Sequence, residues 1–253
     1  MIDTVVFDLD GILLRDMSLT EGGRSAVEHL LARGVRVLYS SGKHHWFTAG
    51  GLSFSRLLRP DTVIMAENGG VVFCPSTKET EHVSPDPEGA AFLRTYYVEE
   101  RCTRHRGILT HRETGVRMWE EPKETILTLY PEDLSTIPAI ALELDDLIAA
   151  HGLALYTIAH SDAVDALPLG QNKGAALARL ATNGELDLTR TAALGDGLND
   201  REMLEIVELP MTVANAKQEV KSLVTARTGY IAQKAYGDGV LECVAWMEQR
   251  GEV

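Results

Sequence analysis

The sequence predicts an α/β fold: a parallel-sheet core into which an α+β module of order α-β-β-α-β-β has been inserted. Three observations carry this. In the first and last thirds, short apolar runs alternate with amphipathic helical stretches, as in βαβ units. In the middle third the pattern changes to paired strands flanked by two helices. Between these styles, Pro75, Pro85 and Pro87 punctuate a polar stretch of the kind that joins domains.

Val5-Val6-Phe7-Asp8-Leu9-Asp10-Gly11 reads as a buried strand running into two carboxylates and a glycine. The acids would stand at its C-terminal end, where open α/β sheets place their chemistry. From Thr20 to Arg33, Ala26, Val27, Leu30 and Leu31 fall on one helical face, and Gly34 is placed to stop that helix. Val35 to Tyr39 is a second strand, ending in Ser40-Ser41-Gly42-Lys43. A helical stretch leads through Pro60 to a third strand, Thr62 to Ala66, closed by Glu67-Asn68-Gly69-Gly70.

The insertion is expected over residues 83–168, leaving 1–82 and 169–253 as the core. Within it, Glu88 to Arg104 and Pro138 to His151 read as helices. Gly115 to Glu120, Thr125 to Tyr130, Leu153 to Ala159 and Ala163 to Leu167 read as strands. Trp119 and Tyr130 are expected to pack this sheet against its helices. Beyond the insertion, Asn172 to Ala181 is a helix and Thr191 to Leu194 a buried strand. Gly195-Asp196-Gly197-Leu198-Asn199-Asp200 is a second acidic turn. Met211 to Val213 and Gly229 to Ile231 are short strands between helical Lys217 to Ala226 and Val240 to Glu248, with Trp246 facing the core.

Composition narrows the function. The 253 residues suffice for a full core, and 24 Lys+Arg against 37 Asp+Glu give a formal charge of -13. That charge disfavours nucleic acid and anionic membranes and leaves a small molecule as the expected partner. No uncharged apolar run approaches the roughly 20 residues that span a bilayer. No basic then apolar leader precedes the first strand, so no signal peptide is expected. Cys74, Cys102 and Cys243 form no metal-like spacing and leave an odd count, which suits a reducing cytoplasm.

Four strand ends or helix starts supply groups that suit a single kind of chemistry. They are Asp8 with Asp10, Ser41 with Gly42, Lys173, and Asp196 with Asp200. A phosphate monoester dianion repels nucleophiles, and its hydrolysis requires acceleration of up to about 10²¹-fold. Carboxylates holding a hard divalent cation, an attacking oxygen, a proton donor and cationic or N–H groups on the phosphoryl oxygens meet that need. All are present, and the all-oxygen donor set favours Mg²⁺ over zinc.

Asp8-Leu9-Asp10-Gly11, Ser41-Gly42, Lys173 in its Asn-Lys-Gly context and Gly195 to Asp200 resemble, in order, the four motifs of the haloacid dehalogenase-like (HAD) phosphatase superfamily. Glu67 to Gly70 resembles the turn after the third strand in members with a type-two (IIB) cap. The resemblance implies a Rossmann-like core with a cap of the subgroup that includes archaeal phosphoglycolate phosphatases, sucrose phosphatases and phosphomannomutases. It implies that Asp8 is the nucleophile and Asp10 the acid/base. It further implies that Ser41, Gly42, Lys173 and Asn199 hold the phosphate, and that Asp8, the Asp10 carbonyl, Asp196 and Asp200 bind Mg²⁺, Asp200 through water or else by orienting Lys173. Asn199 has a plainer reading as a helix cap.

The chain departs from the family where Arg usually follows the second-motif glycine. Here Lys43 stands, either a point charge near the phosphate or a solvated residue opening a helix. His44 and His45 suggest a metal site, but adjacent residues do not share a helix face. Arg94, Arg101, Arg104, Arg106, Arg112 and Arg117, with His105 and His111, make the insertion locally basic. They either bind an acidic group on the substrate or form a solvated or subunit-contact face. The implied activity is hydrolysis of a small phosphorylated metabolite, phosphoglycolate or a sugar phosphate. Its alternatives are a phosphosugar mutase of the same fold and a non-hydrolytic phospho-accepting module. Oligomeric state is not legible.

Overall fold

The computed structural model describes Met1–Val253. The chain divides into two compact units, Met1–Val83 with Asn172–Val253, and Ser84–Gln171.

The discontinuous unit is built on an eight-stranded sheet ordered Tyr230–Ile231, Leu209–Thr212, Thr191–Leu194, Thr4–Asp8, Arg36–Ser40, Val63–Ala66, Val71–Cys74, Glu79–His82. The first six strands are parallel and the last two antiparallel. Thr4–Asp8 is central and wholly buried because both sheet faces are covered, which is why it reads as an unbroken apolar run. Val5 and Phe7 face the helices Glu21–Ala32, His45–Phe54 and Tyr236–Gln249, whereas Val6 faces Lys173–Thr182, Arg201–Ile206 and Gln218–Ala226. Each such side chain contributes about 1.5–3 kcal/mol by leaving water. Thr20 caps the first helix through its hydroxyl on the Gly23 N–H, and Gly34 follows its end at φ 78.

The inserted unit is a six-stranded antiparallel sheet ordered Leu155–Ala159, Val164–Pro168, Leu127–Pro131, Arg117–Glu121, Ile108–His111, Cys102–His105. Helices Pro87–Tyr96 and Ile137–His151 cover one face. The predicted class holds, with three differences. The helix expected to reach Arg104 ends by Arg101, and a hairpin turning at Arg106 and Gly107 follows it. Cys102–His105 is the edge strand of the sheet, and both strands of the hairpin carry His and Thr, so polar residues mask the two-residue alternation. In the core, Val71–Cys74 and Glu79–His82 extend the sheet through what reads as linker, and Leu14–Arg15 pairs with Ser18–Leu19 in a small hairpin.

Trp119 and Tyr130 correct another expectation. Met118, Leu127 and Leu129 face the helices, so their neighbours Trp119 and Tyr130 point to the opposite face. They contact each other there, ring centroids 5.3 Å apart, and Trp119 is 45% exposed. The same face holds a buried polar cluster. Lys123 Nζ lies 2.8 Å from Thr128 Oγ1 and 3.2 Å from Glu121 Oε2. The Thr128 hydroxyl donates to Asp165 at 2.5 Å, and His160 Nε2 is 3.0 Å from the other Asp165 oxygen. Trp246 is partly buried and stacks on Tyr230.

Candidate active site

The predicted residues of the core converge at the C-terminal ends of its central strands. Asp8 is the last residue of the first strand, and its neighbouring strands end at Ser40 and Leu194, immediately before Ser41 and Gly195. Lys173 opens the helix that Asn172 caps through its side chain on the Ala175 N–H.

Lys173 is fully buried, with Nζ 2.5 Å from Asp8 Oδ1 and 2.6 Å from Asp200 Oδ1. Burial disfavours its ammonium, but Asp200 and Asp8 outweigh that and raise its pKa, so it stays charged. Asp200 is also held by the backbone: its Oδ2 accepts from the Asp196 and Gly197 N–H groups, both at 2.9 Å. It thereby holds Lys173 and ties down the acidic turn, while keeping its place among the oxygens of Asp8 and Asp196.

Asp8 and Asp196 are in a different condition. Burial, reinforced by the charge of Asp200, raises Asp8 well above the usual carboxylate range. The same two causes push Asp196 up to about 6. Oxygens of Asp8, Asp196 and Asp200 lie within 4.8 Å of one another. Asp8, Asp10, Asp196 and Asp200 against Lys43 and Lys173 leave an excess of negative charge, which a divalent cation would relieve. An all-oxygen set crowded enough to raise its own pKa values fits Mg²⁺. Gly11 is required beside it. Its φ is +79, and a Cβ there would stand 2.0 Å from Asp196 Oδ2.

Asp10 remains half open, its side chain 47% exposed, and accepts from Lys43 Nζ at 2.9 Å. Lys43 is thus neither solvated nor helical; it belongs to the loop before His45–Phe54 and partners Asp10. The Ser41 Oγ accepts from the Lys43 N–H at 3.1 Å, and the Ser41 carbonyl from the Asn68 N–H at 3.2 Å. Asn199 donates to the Asn68 side chain at 3.1 Å instead of capping its helix. Gly42 lies against that same amide, which a Cβ would approach to 3.2 Å.

Asn68 and Asn215 went unassigned by sequence reasoning. Asn215 Nδ2 donates to the Gly11 carbonyl at 2.9 Å and lies 3.4 Å from Asp196 Oδ2, while its Oδ1 accepts from the Tyr236 N–H. The available signal was position, three residues beyond the strand Leu209–Thr212. His44 and His45 also depart from expectation. His44 is the extended N-cap residue and His45 the first of the helix, so their rings meet at 4.1 Å, and both reach Glu67. Adjacent residues share a side here because one lies outside the helix.

Five of the six arginines of the insertion are engaged within it, all but Arg106. Arg94 and Arg104 meet Glu120, and Arg101 meets Glu113 and Glu143. Arg117 meets Glu132, and Arg112 donates to the Glu99 carbonyl. His111 contacts Glu143. This compensation supports a structural role for the basic stretch. The cysteines are free, and no helix is long and apolar enough to cross a membrane.

Comparison with known proteins adds to this geometry. Residues 119–244 match the family model described as haloacid dehalogenase-like hydrolase. A phosphoglycolate phosphatase of Methanoculleus marisnigri is 27% identical over 251 residues, covering 96% of each chain. Among solved structures, a haloacid dehalogenase-like hydrolase from Bacteroides thetaiotaomicron superposes with a TM-score of 0.75 at 19% identity, covering 98% of this chain and all of the other. The sucrose-phosphatase of Synechocystis sp. PCC6803, solved with sucrose and phosphate, gives 0.69 at 18% identity over 98% of this chain and 99% of its own.

Proposed function

The chain belongs to the haloacid dehalogenase-like hydrolase family, and on that premise we propose that it is a Mg²⁺-dependent phosphomonoesterase working through an aspartyl-phosphate. Its substrate is a small phosphorylated metabolite. Phosphoglycolate and sugar phosphates are the first candidates, from the names its relatives carry. The observation that carries this reading is the buried Asp8–Lys173–Asp200 set with a half-open acid, Asp10, two residues from Asp8.

In this reading Asp8 attacks phosphorus and the ester P–O bond breaks, leaving the phosphoryl group on the Asp8 carboxylate. Asp10 gives its proton to the departing oxygen. Asp10, now ionised, then takes a proton from the water that attacks the aspartyl-phosphate, which releases inorganic phosphate and regenerates Asp8. The Ser41 hydroxyl and the Gly42 N–H hold phosphoryl oxygens, with Asn199 and Asn68 bracing that loop. Lys173 offsets the charge of Asp8 as the phosphate dianion arrives. Asp8, the Asp10 carbonyl and Asp196 would hold Mg²⁺, which when bound supplies positive charge to the acids and the phosphoryl group. Lys43 holds Asp10 in place. The inserted unit corresponds in this reading to the family's cap module, and the free thiols suit a reducing cytoplasm.

Asp8→Asn tests the mechanism. Release of phosphate from an aryl phosphate should fall by about four orders of magnitude or more, with the circular dichroism spectrum and cooperative unfolding preserved. Undiminished turnover in a folded variant would exclude Asp8 as the nucleophile.

A further inference from the structure

Beside the acids, within the core unit alone, lies a crevice whose enclosed volume is about 120 Å³, room for one small apolar group. It runs between the small hairpin of Leu14–Arg15 with Ser18–Leu19 and the helix His45–Phe54. Its walls are apolar, with Leu9, Leu13, Leu14, Phe47 and Leu52 prominent. The one cation in the wall is Lys43, the residue that holds Asp10. In the mechanism above Asp10 protonates the leaving oxygen, so Lys43 connects the crevice directly to the position where the leaving group departs.

Two further observations show that the chain does not fill this space itself. Gly51 lines the crevice in the middle of a helix, although glycine is the least favourable helix residue after proline. A Cβ added there would meet nothing within 4 Å, so no packing contact requires glycine. Phe47, one turn earlier, is 56% exposed at the same wall, a large apolar side chain without cover. Four of the insertion's arginines, Arg94, Arg101, Arg104 and Arg117, are meanwhile engaged with glutamates of their own unit.

We propose that this crevice seats an apolar body, an aryl or branched alkyl group, on the leaving-group side of the phosphate ester. The proposal rests on the phosphomonoesterase reading and narrows it. Among phosphorylated metabolites, those with an aromatic or branched apolar moiety are preferred over phosphoglycolate, whose short acidic leaving group would leave the crevice empty. The apolar walls supply the binding and Lys43 sets the register of the ester against Asp10.

Gly51→Leu plugs the crevice from outside the catalytic machinery and favours the helix. The full chain with Mg²⁺ is assayed on α-naphthyl phosphate, phosphoglycolate and acetyl phosphate, and binding of α-naphthylmethylphosphonate is followed by calorimetry. The expected result is kcat/KM higher for the naphthyl ester than for phosphoglycolate by about 10-fold or more. Gly51→Leu should lower the naphthyl value by about 10-fold and weaken phosphonate binding similarly, with acetyl phosphate turnover unchanged; such a change corresponds to one or two buried methylenes of pocket. Equal effects of the variant on all three substrates, or none on the naphthyl ester and phosphonate, overturn the crevice assignment while leaving the phosphatase reading standing. Phosphonate binding lost in Gly51→Leu, with no ester hydrolysed by the wild type, has the opposite meaning: the crevice binds apolar groups and the phosphatase reading fails.

Discussion

Each unit of this protein buries a lysine among carboxylates, and the two clusters differ in how they are balanced. In the inserted unit Lys123 touches Glu121 and Thr128, and Thr128 and His160 bond Asp165. Burial alone would raise Asp165, but the His160 contact, the charge of Lys123 and the Thr128 hydroxyl together bring it below the ordinary carboxylate range. In the core Lys173 is as deeply buried, yet Asp8 and Asp196 titrate above that range because burial and Asp200 together exceed what one ammonium relieves. A cluster that lowers its acid is complete as folded. One that raises its acids is built for a positive charge that arrives later, which is what the proposed function asks of it.

The contrast is broken most directly at the two lysines. Lys173→Met should destabilise the fold by roughly 3–5 kcal/mol at neutral pH, the cost of stranding buried carboxylates. It should also lower phosphate release by about 10²–10³-fold. Lys123→Met should show the first loss in urea denaturation without the second. Equal losses of acetyl phosphate hydrolysis in both variants would erase the distinction.

A smaller effect follows from Asp196. Its pKa is 3.8 in the ordinary state and about 6 in the fold. Between those values the folded state binds more protons than the unfolded chain, so stability falls as pH rises through that window. Metal-free protein should therefore lose thermal stability from about pH 4 to pH 6, and Mg²⁺ should restore several degrees at neutral pH and little below about pH 4. A midpoint indifferent to Mg²⁺ at neutral pH would count against the metal site. Asp165→Asn is expected to be the mildest change, about 1–3 kcal/mol from hydrogen bonds left unmade, with its contribution lost on acidification because its folded pKa is depressed. Urea titrations at two pH values measure it.

The convergence of the core groups was legible because they lie at strand ends and helix starts: the order of strands brings Asp8, Asp10, Ser41, Lys173 and Asp196 together, while the roles expected of them came from the motif resemblance. What escaped depended on three-dimensional neighbours. Asn68 and Asn215 act through an amide and a carbonyl remote in sequence. The pairing of His44 with His45 depended on where the helix begins. The hairpin Cys102–His105 with Ile108–His111 carries an Arg- and His-rich sequence whose charge resembles a solvated face, and its contacts of Arg104 with Glu120 and His111 with Glu143 appear only once the sheet is formed.

The bond between Lys173 and Asp8 joins residues 165 positions apart. The strand Thr4–Asp8 likewise pairs with Thr191–Leu194 across the whole insertion. Closing so long a span is entropically demanding and makes sheet completion slow relative to the antiparallel neighbours of the inserted unit. During synthesis Asp8 emerges early and Lys173 much later, whereas Asp10 finds Lys43 only 33 positions on. The nascent chain therefore carries Asp8 without the lysine that balances it, and the buried set is complete only after the two ends of the chain have met.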